Sequence, residues 1–275
     1  MGDKAQVVLV GCGNMGFAML AGWLEQSVLR PQTVWVVEPT GALRQRAQSL
    51  GVQAVSSAND LPPELQTEII IFAVKPQVLG DVLRDYLDMA ARSNPTIVSV
   101  AAGIGIARFS EAFGESAAIV RVMPNTPSAI GQGMMVVCPN AATDKPRLAH
   151  VEALMAASGK VATIHDETLM DAVTAVSGSG PAYVFHMVEA MRDAGVSAGL
   201  PQDIAHTLAL QTVVGAANYA SVADDDVAEL RKQVTSPNGT TAAALDVLMD
   251  DSTGMRPLIR RAVEAARDRS KELGS

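Results

Sequence analysis

The stretch VVLVGCGNMG, residues 7–16, joins an unbroken apolar run to three glycines spaced Gly11-x-Gly13-x-x-Gly16. A run with no polar alternation suits a strand buried on both faces, as in a parallel sheet. Gly11 permits a tight turn, Gly13 lets the backbone approach a pyrophosphate, and Gly16 lets the next helix pack closely on the strand. The N-terminus of that helix turns free amides and its positive dipole end toward the phosphates. The spacing alone is a weak signal, but the strand–turn–helix setting is the required one. The stretch predicts a dinucleotide-binding α/β domain, with Gly11, Cys12, Gly13, Asn14, Met15 and Gly16 along the cofactor.

Outward from this loop the same alternation continues. Val34–Val37, Ile69–Ala73 and Ile97–Val100 are further apolar strand runs, and Ala118–Met123, Gly133–Cys138 and Ala162–Ile164 extend the series. Met15–Gln26, Ala42–Leu50, Val78–Ala91 and Pro146–Ser158 carry helical periodicity between them. Strands alternating with helices predict a doubly wound, mostly parallel, Rossmann-like sheet over residues 1–165. After Asp166 the strand signals stop, and six helices are expected between Glu167 and Glu272, broken at Ser177–Pro181, Gly199–Pro201, Asp224–Asp226 and Pro237–Gly239. Several of these helices are apolar on more than one face, such as AYVFHMVEAM, and a helix apolar all round must be buried. Residues 166–275 are too few to bury them alone, so an all-α domain that makes a homodimer is expected.

A chain of 275 residues suits two domains. The net charge of −8 argues against non-specific nucleic-acid binding, which needs a basic footprint. Cys12 and Cys138 form neither a metal spacing nor a disulfide framework, which suggests a cytoplasmic protein. No apolar stretch approaches the roughly 20 residues needed to span a bilayer. The opening MGDKAQVVLVGCG runs into a strand pattern without the apolar core of a signal peptide. The four histidines show no i,i+4 pair, and no metal site is expected.

Glu38 ends the second strand at the separation where an acidic residue meets the adenosine ribose. A carboxylate there accepts hydrogen bonds from the ribose hydroxyls and repels a 2′-phosphate, which favours NADH. Arg44 and Arg46 follow closely and could grip that phosphate instead, so NADPH stays open.

Four more stretches make a specific combination with the glycine loop: FAVKP (72–76), RVMPNTP (121–127), SGSGPAY (177–183) and LRKQVTSPNGTT (230–241). Together, and in order over nearly the whole chain, they resemble the pyrroline-5-carboxylate reductase family, which performs the last step of proline biosynthesis. The resemblance implies that Ala73, Val74, Lys75 and Pro76, then Val100, Ala101 and Ala102, lie along the cofactor, with Asn59 near the adenosine ribose. It implies a substrate loop at Ser236–Thr241, where the amides of Gly239, Thr240 and Thr241 hold the substrate carboxylate and the Thr241 hydroxyl reaches the ring nitrogen. Glu167 is implied near the substrate, and larger rings built from dimers, such as a decamer, are implied as the assembly. Asn238 departs from the family's usual Ser-Pro-Gly-Gly-Thr-Thr; asparagine is the non-glycine residue that best tolerates positive φ, so the turn is expected to survive.

The expected chemistry is hydride transfer from NADH or NADPH to the C=N bond of 1-pyrroline-5-carboxylate. An imine can be reduced as its iminium ion, so a strong catalytic base is not required, and positioning supplies most of the effect. No lysine lies between Lys160 and Lys232, which counts against a β-hydroxyacid dehydrogenase of the same architecture. A second alternative, a non-catalytic dinucleotide-binding protein, has no use for TSPNGTT. From local sequence alone, Thr240 and Thr241 could equally be plain helix caps.

Overall fold

A computed structural model describes residues 4–274 of the chain. They form two compact units, one running to Gly178 and resuming at Ala266, the other spanning Ser179–Ala265. The boundary falls later than the expected 165/166 because residues 167–178 pack within the first unit: Met170 and Ala175 are fully buried there.

The first unit is built on eight strands: β1 Lys4–Val10, β2 Val34–Val37, β3 Gln53–Val55, β4 Gln66–Phe72, β5 Thr96–Ser99, β6 Ile119–Met123, β7 Gly133–Pro139 and β8 Gly159–Thr163. Their order in the sheet is β3-β2-β1-β4-β5-β6-β7-β8, parallel throughout except for the antiparallel β6–β7 pair. The helices of this unit are α1 Asn14–Glu25, α2 Gly41–Gln48, α3 Pro76–Arg84, α4 Leu87–Ser93, α5 Ile106–Phe113, α6 Lys145–Ala156 and α7 Met170–Val173. Successive strand residues feed opposite faces, as the two-residue period of a strand demands. Val7 and Leu9 join Trp23, Leu154 and Met155 in one core layer, while Val8 and Val10 join Phe72, Tyr86 and Phe109 in the other. On the first face the indole of Trp23 donates to the Leu154 carbonyl at 3.0 Å, tying α1 to α6.

The single helix expected over 78–91 is two, α3 and α4. Tyr86 leaves helical geometry (φ −111°, ψ 0°) and turns its buried ring edge-on to Phe72 at 5.4 Å. The expected helix 167–176 is a 3-10 turn (Glu167–Leu169), then α7, then a π-turn over Thr174–Gly178.

The second unit holds α8 Gly180–Ser197, α9 Gln202–Val222, α10 Val227–Gln233 and α11 Thr240–Leu248, and α12 Met255–Gly274 starts there and ends in the first unit. Its only buried apolar residues among those described are Ala205, Ala209 and Leu230. Phe185 (64% exposed), Leu208 (51%) and Leu258 (54%) stand open, so a single copy does not bury the apolar faces of these helices.

Candidate active site

The glycine loop follows β1 directly. Gly11 takes φ +89°, and its amide donates to the Val37 carbonyl at 2.8 Å, extending the β1–β2 ladder by one residue. A Cβ on Gly11 would meet the Ala73 carbonyl oxygen at 2.8 Å, and one on Gly16 would strike the Gly11 carbonyl. Gly13 differs: a Cβ there would meet nothing within 4 Å. Gly13 is the N-cap of α1 and supplies no capping side chain, so the first-turn amides at Asn14, Met15 and Gly16 receive no side-chain cap. A twelve-residue helix with an uncapped N-terminus beside a cleared loop fits a pyrophosphate.

Cys12 is buried in this loop, and burial is the main reason its thiol is pushed up to about 11; Glu38 adds to the rise and Arg46 opposes it. Its part is played by its backbone, whose amide donates to Glu38 Oε2 at 2.8 Å. Glu38, only 5% exposed just past β2, accepts the Thr40 amide on Oε1, also at 2.8 Å. Arg44 Nη1 donates to the carbonyls of Glu38 and Pro39, and Arg46 Nη2 to those of Cys12 and Gly13. The Arg46 guanidinium lies 4.0 Å over the Phe17 ring.

The remaining cofactor candidates continue along the same edge. Asn59 sits exposed in the 3-10 turn after β3, where Ser57 and Asp60 cap each other. Bonds from Ser56 and Ser57 hold the Asp60 carboxyl below its ordinary range. Ala73 follows β4, and its amide donates to Val10 at 2.8 Å. Lys75 is an exposed N-cap with Pro76 opening α3. Val100 follows β5 with its amide on the Phe72 carbonyl at 3.1 Å, leading into buried Ala101 and exposed Ala102. All of these residues thus stand at the carboxyl ends of parallel strands, where open α/β sheets bind ligands.

Glu167 is also in the first unit. Its Oε1 accepts from the Ile106 amide at 2.8 Å, at the N-terminus of α5, and from Arg121 Nη1 at 2.9 Å. Arg121 is nearly buried, and nothing in the spacing of RVMPNTP singled it out as the partner of Glu167. The pair lines a cavity that also includes Gly105, Asp171 and Lys271.

The stretch TSPNGTT, residues 235–241, belongs to the second unit. Asn238 takes φ +58°, the left-handed conformation for which asparagine is suited. The Gly239 amide closes the turn on the Ser236 carbonyl at 3.1 Å, and a Cβ on Gly239 would strike the Ser236 hydroxyl. Gly239, not a threonine, is the N-cap of α11; Thr240 and Thr241 are its first two residues, so neither is a simple cap. The amides at the start of α11 receive no capping side chain.

Residues 6–103 match the family model described as NADP oxidoreductase, coenzyme F420-dependent, and residues 167–273 match pyrroline-5-carboxylate reductase dimerisation. The pyrroline-5-carboxylate reductase of Synechocystis sp. is 42% identical over 269 residues, covering 98% of both chains. That of Pseudomonas aeruginosa is 38% identical over 269 residues, covering 98% of this chain and 96% of its own. The chain belongs to the pyrroline-5-carboxylate reductase family.

The solved pyrroline-5-carboxylate reductase of Coxiella burnetii superposes with a TM-score of 0.91 at 30% identity, covering 98% of this chain and 99% of the other. A Plasmodium falciparum pyrroline carboxylate reductase, crystallised with NADP bound, reaches 0.83 at 30% identity with 98% of each chain covered. Family membership gives the open apolar faces of α8–α12 a cause, since that segment is the one matched as the dimerisation region. It also starts at residue 167, so the family's helical region includes the α7 segment that packs here with the sheet.

Proposed function

We propose that this chain reduces 1-pyrroline-5-carboxylate to L-proline with hydride from NADH. The observation that carries the proposal is the presence, in a member of this family, of two uncapped helix N-termini after glycine turns: α1 beside the dinucleotide loop and α11 at TSPNGTT.

Bound NADH supplies the hydride that adds to the imine carbon, while the ring nitrogen takes or keeps a proton. The chain's residues provide orientation and electrostatics. The amides of Asn14, Met15 and Gly16 take the pyrophosphate, with Gly11 and Cys12 shaping the loop. Ala73–Pro76 and Val100–Ala102 line the path from there, with Asn59 on the adenosine side. In the substrate loop Ser236 and the amides of Gly239, Thr240 and Thr241 hold the carboxylate, and the Thr241 hydroxyl holds the ring nitrogen. Glu167 uses one carboxylate oxygen on Ile106 and Arg121, which leaves Oε2 for the substrate. A protonated imine needs no lysine to drive proton transfer, consistent with the lysine-free stretch between Lys160 and Lys232.

NADH is favoured over NADPH by Glu38, an acid just past β2 beside the glycine loop, whose carboxylate would repel a 2′-phosphate. Arg44 and Arg46, the cations that would offset it, are engaged by backbone carbonyls. The exposed apolar helices support a homodimer, assembled further into a ring such as a decamer. Two free cysteines support a cytoplasmic enzyme. The test is absorbance at the nicotinamide band: NADH consumption must require pyrroline-5-carboxylate. A parallel arm uses NADPH, and no consumption with either refutes the proposal.

A further inference from the structure

Asn125 behaves unusually for an asparagine at a helix N-cap. It caps the 3-10 turn Thr126–Ile130, yet its side chain makes no bond to that turn. Its Oδ1 instead accepts the Met134 amide at 2.8 Å, and its Nδ2 donates to the Ser177 carbonyl at 3.2 Å and the Ser177 hydroxyl at 3.4 Å. The carboxamide thus joins the end of β6, the start of β7 and the π-turn over Thr174–Gly178.

The Ser177 carbonyl needs this donor. In a regular helix it would accept the amide of residue 181, and residue 181 is proline, which has none. Sequence therefore creates an orphan carbonyl and Asn125 supplies its partner from another element. Gly178, the last residue of the π-turn, lies against Met123 at the end of β6, so close that a Cβ would strike Met123 Cε. Such one-turn π segments commonly mark functional sites.

The place of this brace along the sheet gives it a role. Glu38 stands at the end of β2 and the glycine loop at the end of β1, so a dinucleotide with its adenosine at β2 extends its other end toward β4, β5 and β6. Met123, Asn125 and the Ser177–Gly178 turn stand at the carboxyl end of β6, next along that edge. We propose that Asn125 is a positioning residue for hydride transfer, bracing the Ser177–Gly178 turn as the wall beside the nicotinamide end of the bound cofactor. This rests on the reductase reading above. A carboxamide is required because the brace needs an acceptor for Met134 and a donor for Ser177 at once; aspartate lacks the donor.

The test compares wild type with Asn125→Ala, Pro181→Ala and the double variant, measuring NADH affinity by fluorescence, melting temperature, kcat, and the primary isotope effect with 4-deuterated NADH. Asn125→Ala is expected to lower kcat 10-fold or more and raise the isotope effect, with NADH affinity within about 3-fold of wild type. Pro181→Ala returns an amide to the Ser177 carbonyl. In the double variant it should recover melting temperature but not kcat, which a purely structural role would recover together. A kcat within 2-fold of wild type in Asn125→Ala, or joint recovery of kcat and melting temperature, overturns the inference. If Asn125→Ala does not fold, Pro181→Ala alone decides: drawing Ser177 into a regular helix should lower kcat at unchanged NADH affinity, and unchanged kcat overturns it. Wild type that oxidises no NADH with pyrroline-5-carboxylate instead refutes the reductase reading.

Discussion

Replacing Glu38 with glutamine tests whether its charge sets cofactor choice. The carboxylate is 5% exposed and anchored at 2.8 Å by the amides of Cys12 and Thr40, so its position is fixed. Two unit charges about 4 Å apart interact by roughly 4 kcal/mol at an effective dielectric near 20. If the cofactor's ribose end meets solvent beside Glu38, water and salt cut this to about 1–2 kcal/mol. At about 1.4 kcal/mol per tenfold, the NADPH/NADH ratio of kcat/KM should rise roughly 5- to 30-fold in Glu38→Gln. The glutamine NH2 also turns a donor toward one of the two amides, an unsatisfied contact costing about 1–3 kcal/mol. That cost falls on the loop shared by both cofactors and cancels in the ratio, which is why the ratio is the quantity to measure. Initial rates with each cofactor at saturating pyrroline-5-carboxylate provide it. A ratio within 2-fold of wild type would refute the assignment of Glu38 to the ribose.

Thr241→Ala should lower kcat/KM roughly 10- to 100-fold, the loss of a hydrogen bond to a charged ring nitrogen of about 1.5–3 kcal/mol. Because Gly239 is the N-cap, stability measured by urea unfolding should stay within about 0.5 kcal/mol, and unchanged kinetics would remove the threonine from the site. Asn238→Ala should cost about 1 kcal/mol at φ +58° while Asn238→Gly costs little; equal urea midpoints for the two would contradict the left-handed turn. The Cys12 thiol, pushed up chiefly by burial, is protonated in the fold. Its contribution to stability is full below the unfolded value of 9.0 and is lost as pH rises through about 11. Alkylation of native protein at pH 8 should therefore leave Cys12 unmodified by mass spectrometry, and rapid labelling would falsify its burial.

The sheet was legible because its strands are buried on both faces, and Val7–Val10 and Val34–Val37 read as continuous apolar runs. β3 was not, since Gln53–Val55 is a three-residue edge strand with no run to detect. α5 was missed for a similar reason: eight residues opened by Gly105 give two turns, too short for periodicity to stand out. The split between α3 and α4 depends on Tyr86 packing on Phe72, a contact between residues far apart in sequence. The same limit hid the partners of the site residues. Glu38 could be picked out as an acid at a strand end and Glu167 through the family resemblance, but Arg121 beside Glu167 and the Cys12 and Thr40 amides on Glu38 arise only once strands align.

The helix N-termini differ in whether a side chain caps them. α6 and α10 begin at Asp144 and Asp226, whose carboxylates accept the amides of Arg147 at 2.9 Å and Ala228 at 2.8 Å. Those helices satisfy their own first turn. α1 and α11 begin at Gly13 and Gly239, which bring no side chain to those amides. Gly13→Asp tests the distinction, because Gly13 has φ −63° and a Cβ there meets nothing within 4 Å. The aspartate should cap α1 and stabilise the protein by a few tenths of a kcal/mol, since glycine is only slightly inferior to aspartate as an N-cap. It should also abolish NADH binding, because its carboxylate occupies the amides and repels the pyrophosphate. A variant at least as stable as wild type that no longer binds NADH fits a first turn held open for the cofactor; undiminished NADH affinity would show that the pyrophosphate lies elsewhere.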